Sequence, residues 1–286
     1  MTPPLEDGLR RDPRALLRAF SIRPKKSLGQ NFLVSQSGVE TVVRAAELVG
    51  EEDVLEIGAG LGTLSLVLAE RAKHLLAVEI DEDLLPALRW VLSDLNNVRL
   101  LSGDILGLDL ARLDLQPDYV VVANIPYNIT SHLIRKLMES DFPAQRVILT
   151  IQEEVANRIV AEPGEMNLLA LSVQVFGAPQ IVAKIAPEAF FPQPAVNSAV
   201  IRIDRLPQPL LLADRQVAFF DLAKAGFGQR RKQLQNALSH GLSLEKTHVV
   251  TLLEAAGISP NSRAQELTLN EWIFLTDCFL SLDESG

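Results

Sequence analysis

The chain has 286 residues, 48% hydrophobic and 22% charged, the composition of an ordinary globular protein with enough core to fold without staples. Its single cysteine, Cys278, excludes an internal disulfide framework and a cysteine-rich zinc site, and fits a reducing compartment. No apolar run approaches the length of a membrane span, the N-terminus lacks a signal-peptide core, and Glu6, Asp7 and Asp12 interrupt its arginines against a transit peptide, so the expected location is cytoplasmic.

In chain order, residues 1–30 form a basic N-terminal segment holding Arg10, Arg11, Arg14, Arg18, Arg23, Lys25 and Lys26. Short apolar strands are predicted over 54–57, 75–80, 98–101, 119–123, 147–151, 181–185 and 196–203. Helices with apolar residues three and four apart alternate with them over 64–72, 84–95, 131–139 and 153–161. That alternation predicts an α/β domain at 31–206, its mostly parallel sheet covered on both faces and its last two strands antiparallel at one edge. Leu206-Pro207-Gln208-Pro209 reads as a linker. Beyond it, 207–286 is expected to be a small α-helical domain, with periodic stretches near 215–227, 231–239, 244–256 and 269–280 and helix-ending glycines at 241 and 257.

Glu56-Ile57-Gly58-Ala59-Gly60-Leu61-Gly62 follows the first of these strands and opens a helix, so its glycines would let a ligand approach the backbone. A dinucleotide fingerprint needs a third glycine where Thr63 stands, so the motif suits a ligand with no pyrophosphate. Glu79, at the end of the next strand, can accept both hydroxyls of a ribose, and Asp104, after the third, can take an adenine amino group. Each alone reads more readily as a strand-end cap or a solvated acid. Together they lie where open sheets bind ligands, and they favour an adenosine-containing one without specifying a sulfonium.

The fourth strand runs into Asn124-Ile125-Pro126-Tyr127. An adenine amine is a poor nucleophile because its lone pair is delocalised into the ring. If the Asn124 side-chain oxygen and the Ile125 or Pro126 carbonyl accept its two N–H bonds, the nitrogen is drawn towards tetrahedral geometry. Pro126 fixes φ and Tyr127 offers a stacking ring for a flipped base. The same four residues would also make an ordinary turn. Phe190 and Phe191, flanked by Pro192 and Pro194, would close the other face of the base, or else pack in the core. The histidines at 74, 132, 240 and 248 lack ligand spacing, so no metal is expected, and the absence of His-x-Glu with Cys-x-x-Cys excludes a zinc deaminase. A net charge of −9 argues against broad RNA affinity, leaving the N-terminal cluster and Arg230-Arg231-Lys232 as the candidate phosphate contacts.

With these motifs stand Arg23 to Leu33 (Arg-Pro-Lys-Lys-Ser-Leu-Gly-Gln-Asn-Phe-Leu), Gln152 to Arg158, Pro192 to Arg202, Phe227 to Lys232, and Ser262-Arg263-Ala264 with Glu266. The sequence thereby resembles the bacterial small-subunit rRNA adenine dimethyltransferases, the family whose loss gives kasugamycin resistance, from about residue 21 nearly to the end. The resemblance implies a Rossmann-like methyltransferase domain and S-adenosyl-L-methionine held by Asn31, Leu33, Gly58, Gly60, Glu79, Asp104 and Asn124. It implies that Asn124, Pro126, Tyr127 and Phe190 handle the target base, and that Arg23, Lys25, Lys26, Arg230, Arg231 and Lys232 hold RNA. The implied partner is small-subunit rRNA in a pre-30S particle, two adjacent adenines of its 3′ hairpin each being methylated twice by a monomeric enzyme. A disordered-looking basic segment would then fold over the cofactor when RNA arrives.

Gln193 departs from the family's usual proline, and Leu168-Leu169 from its usual Tyr-Gly pair. Rival readings are the macrolide-resistance large-subunit methylase, opposed by the Arg23–Leu33 and Phe227–Lys232 stretches, and a non-catalytic RNA-binding assembly factor, opposed by intact Glu79, Asp104 and 124–127. An NAD-dependent oxidoreductase is disfavoured by Thr63.

Overall fold

The computed structural model describes residues 7–126, 129–229 and 231–283. Tyr127 and Arg230 lie outside the described residues.

The basic segment is ordered over its described part, contrary to its disordered look. Asp12 caps helix α1 (Pro13–Ala19), its Oδ1 accepting the Arg14 and Ala15 amides at 2.9 and 3.1 Å, and Pro13 starts the first turn. Leu16 and Leu17 on its inner side are buried, while Arg14 and Arg18 stay exposed. A two-residue strand β1 (Phe32–Leu33) and helix α2 (Gln36–Ala46) follow.

Strands and helices then alternate as β2 (Asp53–Ile57), α3 (Thr63–Ala69), β3 (His74–Glu79), α4 (Leu85–Val91), β4 (Val98–Ser102), β5 (Val120–Asn124), α5 (Thr130–Met138), β6 (Arg146–Gln152) and α6 (Glu153–Ile159). Next come α7 (Leu168–Gln174), β7 (Gly177–Ile185), the two-residue β8 (Phe190–Phe191) and β9 (Ser198–Arg205). The main sheet has the order β4-β3-β2-β5-β6-β9-β7. Pairs β2–β3, β3–β4, β2–β5 and β5–β6 are parallel, and β9 runs antiparallel to β6 with Arg146 opposite Asp204. The last two long strands are neighbours at the edge as expected, with β9 inserted between β6 and β7. β2 is buried along its whole length, as a strand covered on both faces must be. One face packs Val54, Val122 and Ile148 on Val39, Val42 and Val43 of α2. The other clusters Leu16 and Leu17 with Leu84, Leu88 and Val91.

Chain order reverses between β2 and β5, because β3 and β4 lie on one side of β2 and β5 and β6 on the other. Open sheets bind ligands outside the carboxyl ends of the strands at such a switch point.

Packing divides the chain into Met1–Ala156 with Pro179–Arg205, and Asn157–Ala178 with Leu206–Gly286. The second unit resumes at Leu206, next to the expected linker, and it also takes 157–178, expected in the sheet domain. Backbone bonds explain that assignment: Leu206 and Leu210 donate to Phe176 and Val175, and Gly164 and Met166 both donate to Gln265. Its helices are α7, α8 (Ala213–Phe227), α9 (Leu234–Leu242), α10 (Lys246–Ala255) and α11 (Leu269–Asp283). Gly257 follows α10 with φ 70°, as a helix-ending glycine should. Gly241 instead lies inside α9, where a Cβ would come within 2.6 Å of the Ala225 Cβ; the left-handed cap is Ser243. Among the described residues no helix is long and apolar enough to cross a membrane, and no group of three His, Cys, Asp or Glu could hold a metal.

Candidate active site

A cleft enclosing about 1020 Å³, its open mouth included, lies at the carboxyl ends of β2, β3, β4 and β5. The strand order brings Gly58, Gly60, Glu79, Asp104 and Asn124 together there, with Asn31, Pro126 and Phe190 completing the group. Ile80, Ile105 and Leu106 supply apolar wall, residues whose types gave no functional signal in the sequence.

Glu79 is 5% exposed and held rigidly: Oε2 accepts the Gly60 amide at 2.7 Å and Oε1 the Asp81 amide at 2.8 Å. Burial pushes its carboxyl above the ordinary value, and the two amides pull back part of the rise. Gly60 has φ 60°, and a Cβ there would meet the Phe32 ring at 3.3 Å, so a side chain would strain the turn and fill the cradle. Asp104 is exposed at the rim, its Oδ1 accepting the Leu106 amide at 2.9 Å.

Asn124 ends β5 half-buried, and its Nδ2 donates to the Asn31 carbonyl at 3.0 Å. A carbonyl only accepts, so this bond fixes which end of the amide is nitrogen and turns Oδ1 the other way. The Asn31 Nδ2 in turn donates to the Gly29 carbonyl at 3.1 Å. The Pro126 carbonyl is occupied by the Ile129 amide at 3.2 Å and the Thr130 hydroxyl at 3.4 Å.

Two expected contacts fall elsewhere. Leu33 does not reach the cleft: it is 4% exposed in the core of the α2 face, opposite Phe190 in the β1–β8 pair. Alternation along a strand sends neighbours to opposite sides, so Phe32 reaches the cleft and Leu33 does not. Phe190, on the same side of the pair as Leu33, is 2% exposed in that core and also borders the cleft, whereas Phe191 is 37% exposed with the Arg14 guanidinium 5.4 Å from its ring centre.

Of the expected RNA contacts, Arg23, Lys26, Arg231 and Lys232 are exposed. Lys25 is not a free cation, because its Nζ lies 2.6 Å from Asp81 Oδ1 and 2.7 Å from Asp83 Oδ2. Asp81, which sequence reading missed, stands two residues beyond Glu79 at 3% exposure; the Ile80-Asp81 spacing from a strand-end carboxylate was the available signal. The Gln193 amide donates to Glu188 at 3.4 Å, so that departure from the resembled pattern is accommodated at the surface.

The family model for ribosomal RNA adenine dimethylases matches residues 22–279. The chain belongs to that family. It is 39% identical to the ribosomal RNA small subunit methyltransferase A of Alkaliphilus metalliredigens (strain QYMF), over 92% of this chain and 94% of the relative. Among solved structures, a Plasmodium falciparum dimethyladenosine transferase superposes with a TM-score of 0.74 at 22% identity, over 88% of this chain and 97% of that one. The 23S rRNA methyltransferase ErmE gives 0.69 at 25% identity, over 87% and 99%. An rRNA adenine dimethylase of this fold uses S-adenosyl-L-methionine, and the cleft fits it: a glycine cradle that a Cβ would fill, an anchored carboxylate beside it, and apolar walls.

Proposed function

We propose that this chain methylates, twice each, the N6 atoms of two adjacent adenines in the 3′-terminal hairpin of small-subunit rRNA. The reading places it in the cytoplasm as a metal-free monomer acting on a pre-30S particle. The observation that carries it is the Asn124 amide, held by the Asn31 carbonyl at 3.0 Å on the rim of the cleft lined by Gly58, Gly60, Glu79 and Asp104.

Gly58, Gly60, Glu79 and Asp104 would hold the cofactor, Glu79 at the ribose and Asp104 at the adenine amine. S-adenosyl-L-methionine bound there supplies a methyl group already activated on a sulfonium, so positioning does most of the catalytic work. With its Nδ2 committed to Asn31, Asn124 presents Oδ1 to one N–H of the target amine. The Ile125 carbonyl takes the other, because the Pro126 carbonyl is already bonded to Ile129 and Thr130. Two acceptors on one amine draw its lone pair out of the ring and aim it into the cleft. Phe190 and Tyr127 stack on the flipped base, and Pro126 fixes the backbone between them. Arg23, Lys26, Arg230, Arg231 and Lys232 grip phosphates by charge.

The test is methyl transfer to unmethylated small ribosomal particles, with the modified fragment mapped by mass. The expected product is two dimethylated adenines in the 3′ hairpin. Asn124→Ala should lower turnover on the order of 100-fold or more while keeping the folded spectrum, as expected when a positioned acceptor is lost. Transfer to large-subunit RNA instead would overturn the substrate assignment.

A further inference from the structure

Residues 25–31 give the cleft four of its lining residues, Leu28, Gly29, Gln30 and Asn31. This strip is tied at both ends. At one end the Asn31 carbonyl accepts from Asn124 at 3.0 Å. At the other, the Lys25 amide donates to the Gln30 side-chain oxygen at 2.7 Å, and Gln30 Nε2 donates to Asp81 Oδ2 at 2.6 Å. The Lys25 ammonium holds the second oxygen of the same carboxylate, Oδ1, at 2.6 Å and reaches Asp83 at 2.7 Å.

Asp81 therefore spends both carboxylate oxygens on the strip, while its own N–H is donated to Glu79 Oε1 at 2.8 Å. Its carboxylate is 3% exposed, and a charge that deep is stable only when paired and hydrogen-bonded. Lys25 holds a higher affinity for its proton than usual, pushed up to about 12 by the two aspartates. The chain of contacts runs without a break from the wall of the cleft to Glu79, the proposed ribose anchor.

We infer that Lys25, Gln30 and Asp81 form a latch that holds the 25–31 wall of the cleft against Glu79, making Lys25 and Asp81 positioning residues for cofactor binding and not RNA contacts. The inference rests on the adenosyl reading of the cleft. It competes with two plainer roles: Lys25 as a phosphate contact, and Asp81 as a cap on the turn into α4, where its Oδ1 also accepts the Asp83 amide at 3.1 Å.

Lys25→Met separates these roles, since it removes the ammonium's bonds to Asp81 and Asp83 and leaves the Gln30 bond and the turn bonds of Asp81 in place. S-adenosylhomocysteine is titrated calorimetrically into the full-length protein with no RNA present, and amide exchange is followed over 25–31. The dissociation constant should rise about three- to tenfold in Lys25→Met and about tenfold or more in Asp81→Asn, the range for losing charge-assisted bonds that are partly screened by water. The double variant should fall short of the product of the two, since the residues share one contact, and Lys25→Arg should recover most of the affinity. Exchange over 25–31 should quicken. In turnover, Lys25→Met should raise KM for the cofactor and leave KM for RNA unchanged.

The latch is overturned if Lys25→Met binds S-adenosylhomocysteine like the parent and weakens only RNA. It is equally overturned if Asp81→Asn lowers the melting temperature with ligand affinity and 25–31 exchange unaltered. A parent protein that binds no S-adenosylhomocysteine would remove the adenosyl reading itself, and the latch with it.

Discussion

Glu56 sits two residues before Gly58 with its carboxyl buried, and its Oε2 has no hydrogen-bond partner among the described residues. Burial lifts its pKa from 4.5 to about 8, with Glu79 adding to the rise and the Ser65 hydroxyl opposing it. The folded protein thus keeps the proton at neutral pH while the unfolded chain has lost it. Unfolding releases a proton in that window, so stability falls as pH rises from about 4.5 to about 8 and levels off above. The slope from this one group is at most about 1.4 kcal/mol per pH unit. Glu56→Gln has the shape of the neutral acid and no proton to lose. Its melting temperature should gain on that of the parent as the pH is raised from about 5 to about 8, the direction linkage requires. Parallel pH profiles for the two proteins would mean that Glu56 ionises freely in the fold. Glu79 differs, because two backbone amides reach it and a ligand can use the acceptor capacity that remains.

At the scale of elements, α1 shows that the basic segment is part of the core as well as a source of charge. Leu16 is 0% exposed among Leu84, Leu88 and Val91, so Leu16→Ala should cost about 2–5 kcal/mol, read as a lower denaturant midpoint with an unchanged slope. A loss under about 0.5 kcal/mol, the usual range for a surface change, would show α1 detached in solution. The long strands were legible in the sequence because a strand buried on both faces writes itself as a continuous apolar run, as Val120 to Ala123 does. The cleft was legible for a related reason: Gly58, Glu79 and Asn124 each end or follow such a run, Asp104 follows the half-exposed edge strand β4, and parallel strands put their ends on one edge. α1 escaped because seven residues are too few for periodicity and its arginines dominate the composition, although Asp12-Pro13 was a start signal. β1 and β8 escaped because a two-residue strand has no pattern, and with them went the alternation that separates Phe32 from Leu33. The ion pairs of Lys25 escaped because local sequence does not name a partner 56 residues away.

At the scale of the molecule, a net charge of −9 has to be reconciled with a polyanionic substrate. The field of the whole protein repels phosphate at long range, so binding must come from cations close enough to displace condensed counterions one for one. With Lys25 committed to Asp81 and Asp83, the exposed Arg231 and Lys232 become the clearest candidates in the helical unit, and Arg23 and Lys26 in the sheet unit. If Arg231 and Lys232 each meet a phosphate, the double change Arg231→Glu, Lys232→Glu should weaken RNA binding at low salt. It should also flatten the plot of log affinity against log salt by about 1.4 to 1.8, since each contact carries about 0.7 to 0.9 of slope. Affinity for S-adenosylhomocysteine should not change, because neither residue lines the cleft. Lys26→Ala should remove about one contact's worth of slope by the same rule, and Lys25→Met none, its charge being spent inside the fold. Slopes that stay parallel in the double variant would place the phosphate contacts elsewhere, and a slope lost in Lys25→Met would mean that RNA outcompetes the aspartates for that ammonium. The salt titration therefore sorts cations that face RNA from cations that build the cleft, a distinction that net charge leaves blank.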